Sequence, residues 1–243
     1  MLSFFKKVRK SSRPQCAALV AAAGSSSRMG GVNKLLEPLD GVPVLVRTLL
    51  ALQQAPQVDE IVIATREEDL VEISGLCRTY GITKCTKVIR GGETRVHSVL
   101  LAAMEASSDV KLLAVQDGAR PLVTPELIEC VIDAARRCGA AAPAIPVKDT
   151  IKEVRDGGAV ERTVDRSSLR AVQTPQVFDA SLLKAALQDA VENRIPVTDD
   201  CSAVERLGKV VFLVDGEEEN LKITTPVDLI LAEAILRARE NRA

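Results

Sequence analysis

The chain has 243 residues, room for one large α/β domain or two small ones, with the 47% hydrophobic and 27% charged content of a soluble globular protein. A formal net charge of −1 supplies no basic field for nucleic acid, and one Tyr and four Phe without any Trp leave no aromatic platforms for base stacking. The six cysteines form no C-x-x-C pair and read as reduced thiols, while the single histidine, His97, is too little for a histidine metal cluster or a Ser-His-Asp triad.

The first 14 residues, MLSFFKKVRKSSRP, are basic and carry no apolar run after their charges, so they are not a signal peptide. They read as a flexible lead-in, with a surface contact through Phe4 and Phe5 as the alternative. No later stretch approaches a membrane span, and the expected location is the cytoplasm, with neither nucleic acid nor membrane as partner.

Cys16 to Ala23 is a run of small apolar residues, bounded by Gly24, that reads as a buried strand. It opens into Gly24, three serines from Ser25, Arg28, Met29, Gly30 and Gly31, and closes at Lys34. A strand feeding a small, basic loop offers main-chain N–H groups to an anion, and Arg28 and Lys34 add a planar fork and a mobile point charge. A polyphosphate is the simplest ligand; a plain connection with solvated charges is the alternative. No Gly-Lys pair follows in this loop and Gly24 precedes Ser25-Ser26, which excludes the P-loop and the dinucleotide fingerprint.

Val44 to Gln54 has helical apolar spacing, Ile61 to Ala64 reads as a second buried strand, and Glu67 to Tyr80 as a helix closed by Gly81. Lys87 to Ile89 is a third strand. Gly91-Gly92-Glu93-Thr94-Arg95 then leads into a helix on which Val96, Val99, Leu100 and Ala103 recur at i, i+3, i+4 and i+7. Lys111 to Val115, the fourth strand, runs into Gln116-Asp117-Gly118-Ala119-Arg120-Pro121. The next helix takes Thr124 as N-cap and Pro125 at its first position, with Ile128, Val131, Ile132 and Ala135 inward. Such alternation predicts a mostly parallel sheet covered on both faces, with ligands beyond the carboxyl ends of its strands. The glycine-serine loop, Gly91-Gly92 and Asp117 each follow a strand and gather at that edge.

Ala140 to Val147 is another buried run. Two extended segments, Ile151 to Arg155 and Ala159 to Val164, then flank the tight turn Asp156-Gly157-Gly158. Charged at alternate positions, residues 148–165 form either a protruding β-arm that docks on a partner subunit or a solvated hairpin. Gln173-Thr174-Pro175-Gln176, a helix over Ser181 to Val191, Thr198-Asp199-Asp200 and a strand over Val210 to Val214 complete the order. The C-terminal helix begins at Thr225-Pro226 and aligns Val227, Ile230, Leu231, Ala234 and Ile235 on one face. Residues 15–243 form one domain behind the lead-in.

In sequence order AAAGSSSRMG with Lys34, GGETR, QDGARP, TVDRSSL, QTPQ, TDDCSAVE and ENLKIT resemble the 2-C-methyl-D-erythritol 4-phosphate cytidylyltransferase family, over roughly residues 15 to 238. The resemblance implies a Rossmann-like α/β nucleotidyltransferase fold, with a mostly parallel sheet, helices on both faces and a protruding β-arm. It implies a Mg²⁺-dependent homodimer with interlocked arms. The implied reaction joins CTP to 2-C-methyl-D-erythritol 4-phosphate, giving 4-diphosphocytidyl-2-C-methyl-D-erythritol and pyrophosphate in the non-mevalonate isoprenoid pathway. Asn33, Lys148 and Glu219 stand where proline, arginine and aspartate are common in the family. The chain ends near Ala243, so no fused second enzyme of the pathway is expected.

Nucleotidyl transfer needs in-line geometry and positive charge around the α-phosphorus; a substrate phosphate is already a nucleophile and asks for no strong base. By resemblance, the backbone of Ala22, Ala23, Gly24 and Ser25 cradles CTP, Arg28 and Lys34 hold the β- and γ-phosphates, and Lys222 sits at the α-phosphate. Asp117 is the implied Mg²⁺ ligand, with a turn-capping role as its alternative. Gly91, Gly92 and Ser98 match cytosine-reading positions, and Thr174 lies near the nucleotide. Arg120, Thr150 and Arg166 match the grip on methylerythritol phosphate, with Arg166 counted among the catalytic residues. Glu93 is either a base reader or a helix-start charge, His97 is structural, and Asp199 and Asp200 either cap a helix at Ser202 or serve the site. Two rivals share parts of this pattern. A ribitol-5-phosphate cytidylyltransferase is weighed against by the arm and Arg166. A non-catalytic nucleotide-binding regulator is weighed against by Arg28, Lys34, Asp117 and Lys222 together.

Overall fold

The computed structural model describes residues 15–24 and 33–242. The lead-in of residues 1–14, and Ser25 and Arg28 with the rest of residues 25–32, lie outside them.

Strand β1 (Cys16–Ala22) is an interior strand of the main sheet and is buried on both faces. Its residues divide by the strand period of two: Cys16, Ala18, Val20 and Ala22 enter one core, Ala17 and Leu19 the other. On one side β1 pairs in parallel with β4 (Glu60–Thr65), and β5 (Cys85–Arg90) pairs in parallel beyond it. On the other side it pairs in parallel with β6 (Leu112–Asp117). Ala22 registers with Thr65, Thr65 with Arg90, and Ala21 with Asp117, so four carboxyl ends lie level. The chain leaves β1 first toward β4 and later returns to β6, which makes the β1–β6 boundary a topological switch point.

Beyond β6 comes the antiparallel β11 (Gln176–Asp179), then β7 (Ala140–Pro146). β7 also carries the antiparallel β10 (Arg170–Val172) and the parallel β12 (Phe212–Asp215). The sheet is thus mostly parallel. Helices α1 (Val44–Gln54), α2 (Leu70–Thr79), α4 (Pro125–Cys138) and α7 (Pro226–Glu240) cover one face, through residues such as Leu49, Ile73, Ile128 and Ala232. Helices α3 (Arg95–Glu105), α5 (Ala180–Glu192) and α6 (Asp200–Arg206) cover the other, through Val99, Leu183, Leu187 and Val204. All six cysteines are free, and among the described residues no helix is long and apolar enough to cross a membrane.

Most expected elements are found near their expected bounds. Thr124 caps α4 by accepting from Leu127 N at 3.1 Å. The Glu67–Tyr80 helix differs at its start, where Glu67–Asp69 is a 3-10 turn and α2 begins only at Leu70. The cause is Arg66, whose guanidinium grips the Asp69 carboxylate at 2.8 and 3.1 Å and tightens that turn. A small hairpin, β2 (Pro38–Leu39) and β3 (Val42–Pro43), occupies a stretch that looked merely mixed. Its Asp40-Gly41 turn has both φ angles positive, the geometry a two-residue hairpin demands.

Helix α7 turns a different face inward from the one its apolar spacing suggests. Val227, Ile230, Leu231 and Ala234 are exposed, whereas Leu229, Ala232, Ile235 and Leu236 pack on the core. The helix is apolar almost all round, so spacing alone leaves its rotation open. The Asp228 carboxylate accepts from Thr224 N and Thr225 N, both at 2.7 Å, and Arg239 donates to Leu122 O at 3.1 Å; these contacts fix the rotation at both ends.

The charged segment after β7 forms a hairpin, β8 (Lys152–Val154) with β9 (Val160–Thr163), separate from the main sheet. Gly157 and Gly158, both at positive φ, close its turn.

Candidate active site

A cleft of about 310 Å³ opens beyond the carboxyl ends of β1 and β6, at the switch point. Ala23 and Gly24 form its β1 wall, followed by Lys34. Asn33 fixes the backbone around Lys34: its amide donates to Asp69 at 3.0 Å and its Oδ1 accepts from Leu35 N at 3.2 Å. A side chain that departs from the family's common proline thus does the ordering by hydrogen bonds.

The opposite wall is the turn after β5. Gly91 N donates to Thr65 O at 2.7 Å, and Gly92 N donates to the Ser98 hydroxyl at 3.1 Å. Ser98 in turn donates to Thr94 O at 2.8 Å, so its hydroxyl is engaged in holding the turn. The packing is close: a Cβ on Gly91 would lie 2.8 Å from the Ala23 Cβ, and one on Gly92 would lie 2.3 Å from the His97 ring. His97 therefore buttresses the turn, in keeping with a structural role.

Asp117 is the floor. Its carboxylate receives Lys222 Nζ at 2.8 Å, Arg95 Nη2 at 3.5 Å and Arg120 Nε at 3.7 Å. Burial pushes this carboxyl up, but Lys222, Arg95 and Arg120 together hold it below the usual carboxylate range, so it is ionised. Its backbone N donates to Thr174 Oγ1 at 3.1 Å. Lys222 reaches the cleft from the loop before α7, which Ile223 N anchors on Ala119 O at 2.8 Å. Asn220, fully buried, ties that loop down by donating to Thr174 O at 3.0 Å and accepting from Arg120 Nη1 at 2.6 Å.

Ala23, Gly24, Lys34, Gly92, Ser98, Asp117 and Lys222 line one cleft. Ala22 and Gly91 stand just behind it, Ala22 buried at the end of β1. Thr174 is buried beneath Asp117, where it supports the carboxylate-bearing residue and does not line the cleft. Arg120 is also buried, turned toward Asn220; burial lowers its pKa although Asp117 opposes the shift. Thr150 and Arg166 are exposed on the hairpin region, the Arg166 guanidinium donating to Lys148 O, and within one chain they do not line the cleft. Lys148 pairs with Glu218 at 2.6 Å and Glu219 pairs with Arg239 and Arg242, so neither departure from the family pattern faces the cleft.

One side chain at the site, Arg95, was not singled out from the sequence, and Asp200, left open between capping and the site, is its partner. Arg95, first residue of α3, lines the cleft, and Asp200, first residue of α6, takes its Nη2 at 2.8 Å. Burial raises the pKa of Asp200 against the opposing pull of Arg95. Asp199 caps α6, accepting from Ser202 N at 2.9 Å, so the two adjacent acids divide the capping and site roles between them. Both residues lie inside motifs already conspicuous, GGETR and TDDCSAVE, but nothing local says that they meet.

A mostly parallel sheet whose switch-point cleft is walled by small-residue backbone, with Lys222 on an ionised carboxylate and Lys34 in the same cleft, is the architecture of a nucleotidyltransferase. Comparison with known proteins agrees. The family model described as 2-C-methyl-D-erythritol 4-phosphate cytidylyltransferase matches residues 16–238, and the chain belongs to that family. It is 42% identical over 232 residues to the cytidylyltransferase of that name from Syntrophus aciditrophicus, covering 95% of this chain and 99% of that one. The Bacillus cereus protein of the same name is 44% identical over 224 residues, covering 92% and 98%. Among solved structures, a 4-diphosphocytidyl-2C-methyl-D-erythritol synthase from Anaerococcus prevotii superposes with a TM-score of 0.82 at 30% identity, covering 92% of this chain and 96% of that one.

Proposed function

We propose that this chain transfers the cytidylyl group of CTP to 2-C-methyl-D-erythritol 4-phosphate. A phosphate oxygen of the sugar alcohol attacks the α-phosphorus, the bond from that phosphorus to the bridging oxygen breaks, and pyrophosphate leaves with the electron pair. The observation that carries this is Lys222 Nζ at 2.8 Å from Asp117 in a cleft that Lys34 also lines. Two ammonium groups are thereby held where charge grows on the α-phosphoryl oxygens and the leaving group. Backbone from Ala23 to Gly24 cradles the nucleotide, and the Gly91-Gly92 turn reads the base, a carbonyl there accepting from the cytosine amino group.

Mg²⁺ is the cofactor we assign. Among the described residues no group of three His, Cys, Asp or Glu could cage a metal. A single ionised Asp117 at the cleft floor instead fits Mg²⁺, which takes one or two carboxylates and completes its shell with phosphate oxygens and water. When bound, the ion neutralises phosphate charge.

The active form we propose is a homodimer. The β8–β9 hairpin is a fully exposed pair of strands carrying exposed Val154 and Val160, and Thr150 and Arg166 lie beside it, away from their own cleft. Exchange of such arms about a two-fold axis would bury those valines and bring Arg166 and Thr150 to the partner's substrate. Six free thiols suit the reducing cytoplasm as its location.

The test is pyrophosphate release across four nucleoside triphosphates and several sugar-alcohol phosphates. CTP with 2-C-methyl-D-erythritol 4-phosphate is expected to dominate. Equal turnover with UTP, or with ribitol 5-phosphate, would overturn the assignment of base or acceptor.

A further inference from the structure

Resting on the reading of Asp117 as the Mg²⁺ ligand, we infer that Asp200 and Arg95 are positioning residues. Asp200 restrains Arg95 so that it touches only one oxygen of Asp117 and does not chelate the carboxylate that would hold the cation.

The geometry is specific. A single guanidinium nitrogen, Arg95 Nη2, lies 2.8 Å from Asp200 Oδ2 and 3.5 Å from Asp117 Oδ1. Lys222 and Arg120 approach the other oxygen, Asp117 Oδ2. An arginine beside a lone carboxylate takes both oxygens with its fork. Here that fork is pulled off by a second carboxylate, so Arg95 neutralises Asp117 in part without chelating it. Asp200 is itself held from behind, its backbone N donating to Gln176 Oε1 at 3.0 Å while Gln176 Nε2 donates to Asp199 at 2.8 Å. It cannot follow Arg95 toward the cleft.

The arrangement is poorly explained by folding alone. The Asp200 side chain is 1% exposed, and among the described residues its Oδ1 has no hydrogen-bond partner. A buried acid with one oxygen unsatisfied is a costly way to join two helices, and apolar packing does that at least as well. What the acid supplies, and packing does not, is control over where Arg95 points. Loss of Asp200 would let the fork close on Asp117 and compete with the cation. Loss of the same residue would leave one more positive charge available to the triphosphate. The two consequences have opposite signs, which a merely structural role does not produce.

The experiment measures CTP binding by calorimetry without the second substrate, over a Mg²⁺ series and in chelator, with thermal melting as the fold control. Asp200→Asn, nearly isosteric, should raise half-saturating Mg²⁺ about tenfold, as loss of an outer-shell partner does. Its affinity for CTP in chelator should stay level or tighten. Arg95→Lys, which keeps the charge but loses the guanidinium's reach and with it the hold on Asp200, should also raise the Mg²⁺ requirement, and it decides the matter should Asp200→Asn fail to fold. Asp117→Asn is the reference. If it raises the Mg²⁺ requirement while the other two variants leave it unchanged, or weaken CTP binding equally with and without Mg²⁺, the positioning role is overturned and the metal reading stands. If Asp117→Asn itself leaves the requirement unchanged, the metal reading falls and the positioning role falls with it.

Discussion

Gly91→Ala probes whether the turn after β5 is part of the nucleotide site. The added Cβ would lie 2.8 Å from both the Ala23 Cβ and the Ser98 Oγ. Ordinary carbon contacts need about 3.5–4.0 Å, so the shortfall is roughly 0.7–1.2 Å. Ala23 cannot yield by changing rotamer, because its Cβ sits directly on the backbone. The Gly91 N–H to Thr65 O bond at 2.7 Å resists movement the other way. Overpacking of this kind costs about 1–3 kcal/mol, or about 2–12 °C in Tm for a chain of this size. The turn should shift by a comparable fraction of an ångström away from Ala23. Displacements near 1 Å at a binding element cost up to about 100-fold, so kcat/KM should fall by about 10–100-fold, mostly through KM for CTP. Pyrophosphate release with CTP varied, beside a thermal melt, reads both effects. Gly75→Ala is the control: it lies within α2 with no described atom within 4 Å of the added Cβ, and should stabilise by about 0.5–1 kcal/mol with activity intact. A Gly91→Ala enzyme whose Tm falls while its KM for CTP stays within about twofold, under 0.5 kcal/mol, would refute the placement of the base at this turn.

Lys222→Ala should lower kcat by about 10²–10³, the value of one charge aimed at the transition state; a loss under about threefold would leave Lys222 only the task of pairing with Asp117. Arg166→Ala and Lys34→Ala chains, each inactive, should regain up to about a quarter of wild-type activity when refolded together, since half of randomly paired dimers are mixed and each holds one intact site. No recovery in verified mixed dimers would mean that Arg166 serves its own chain. Because Asp117 has a folded pKa below the ordinary value of an aspartate, its ion pairs contribute stability above that ordinary value and lose it as pH falls through the folded pKa. The stability gap between wild type and Asp117→Asn in urea titrations should therefore narrow from about pH 5 downward, and a gap that widens on acidification would contradict the sign.

Much of this molecule follows from short-range chemistry. Buried parallel strands need apolar side chains on both faces, so β1, β4 and β6 appear as near-continuous apolar runs. Thr124-Pro125 starts a helix wherever it is placed before an apolar period. Asp117 and Gly91-Gly92 fall at one edge because parallel strands place all their carboxyl ends together. Tertiary structure decided what such rules leave degenerate. Helix α7 offers apolar residues on several faces, and only its end contacts choose among them. Thr174 is equally polar as a cleft residue or as a buried support, and only the antiparallel insertion of β11 beside β6 puts it under Asp117. Asp199 and Asp200 show the division most plainly. They are identical side chains in adjacent positions, and the first caps its own helix by a bond three residues away, which sequence can specify. The second faces Arg95, 105 residues distant, because one step along a helix turns a side chain by about 100° and the sheet order brings α3 and α6 together there.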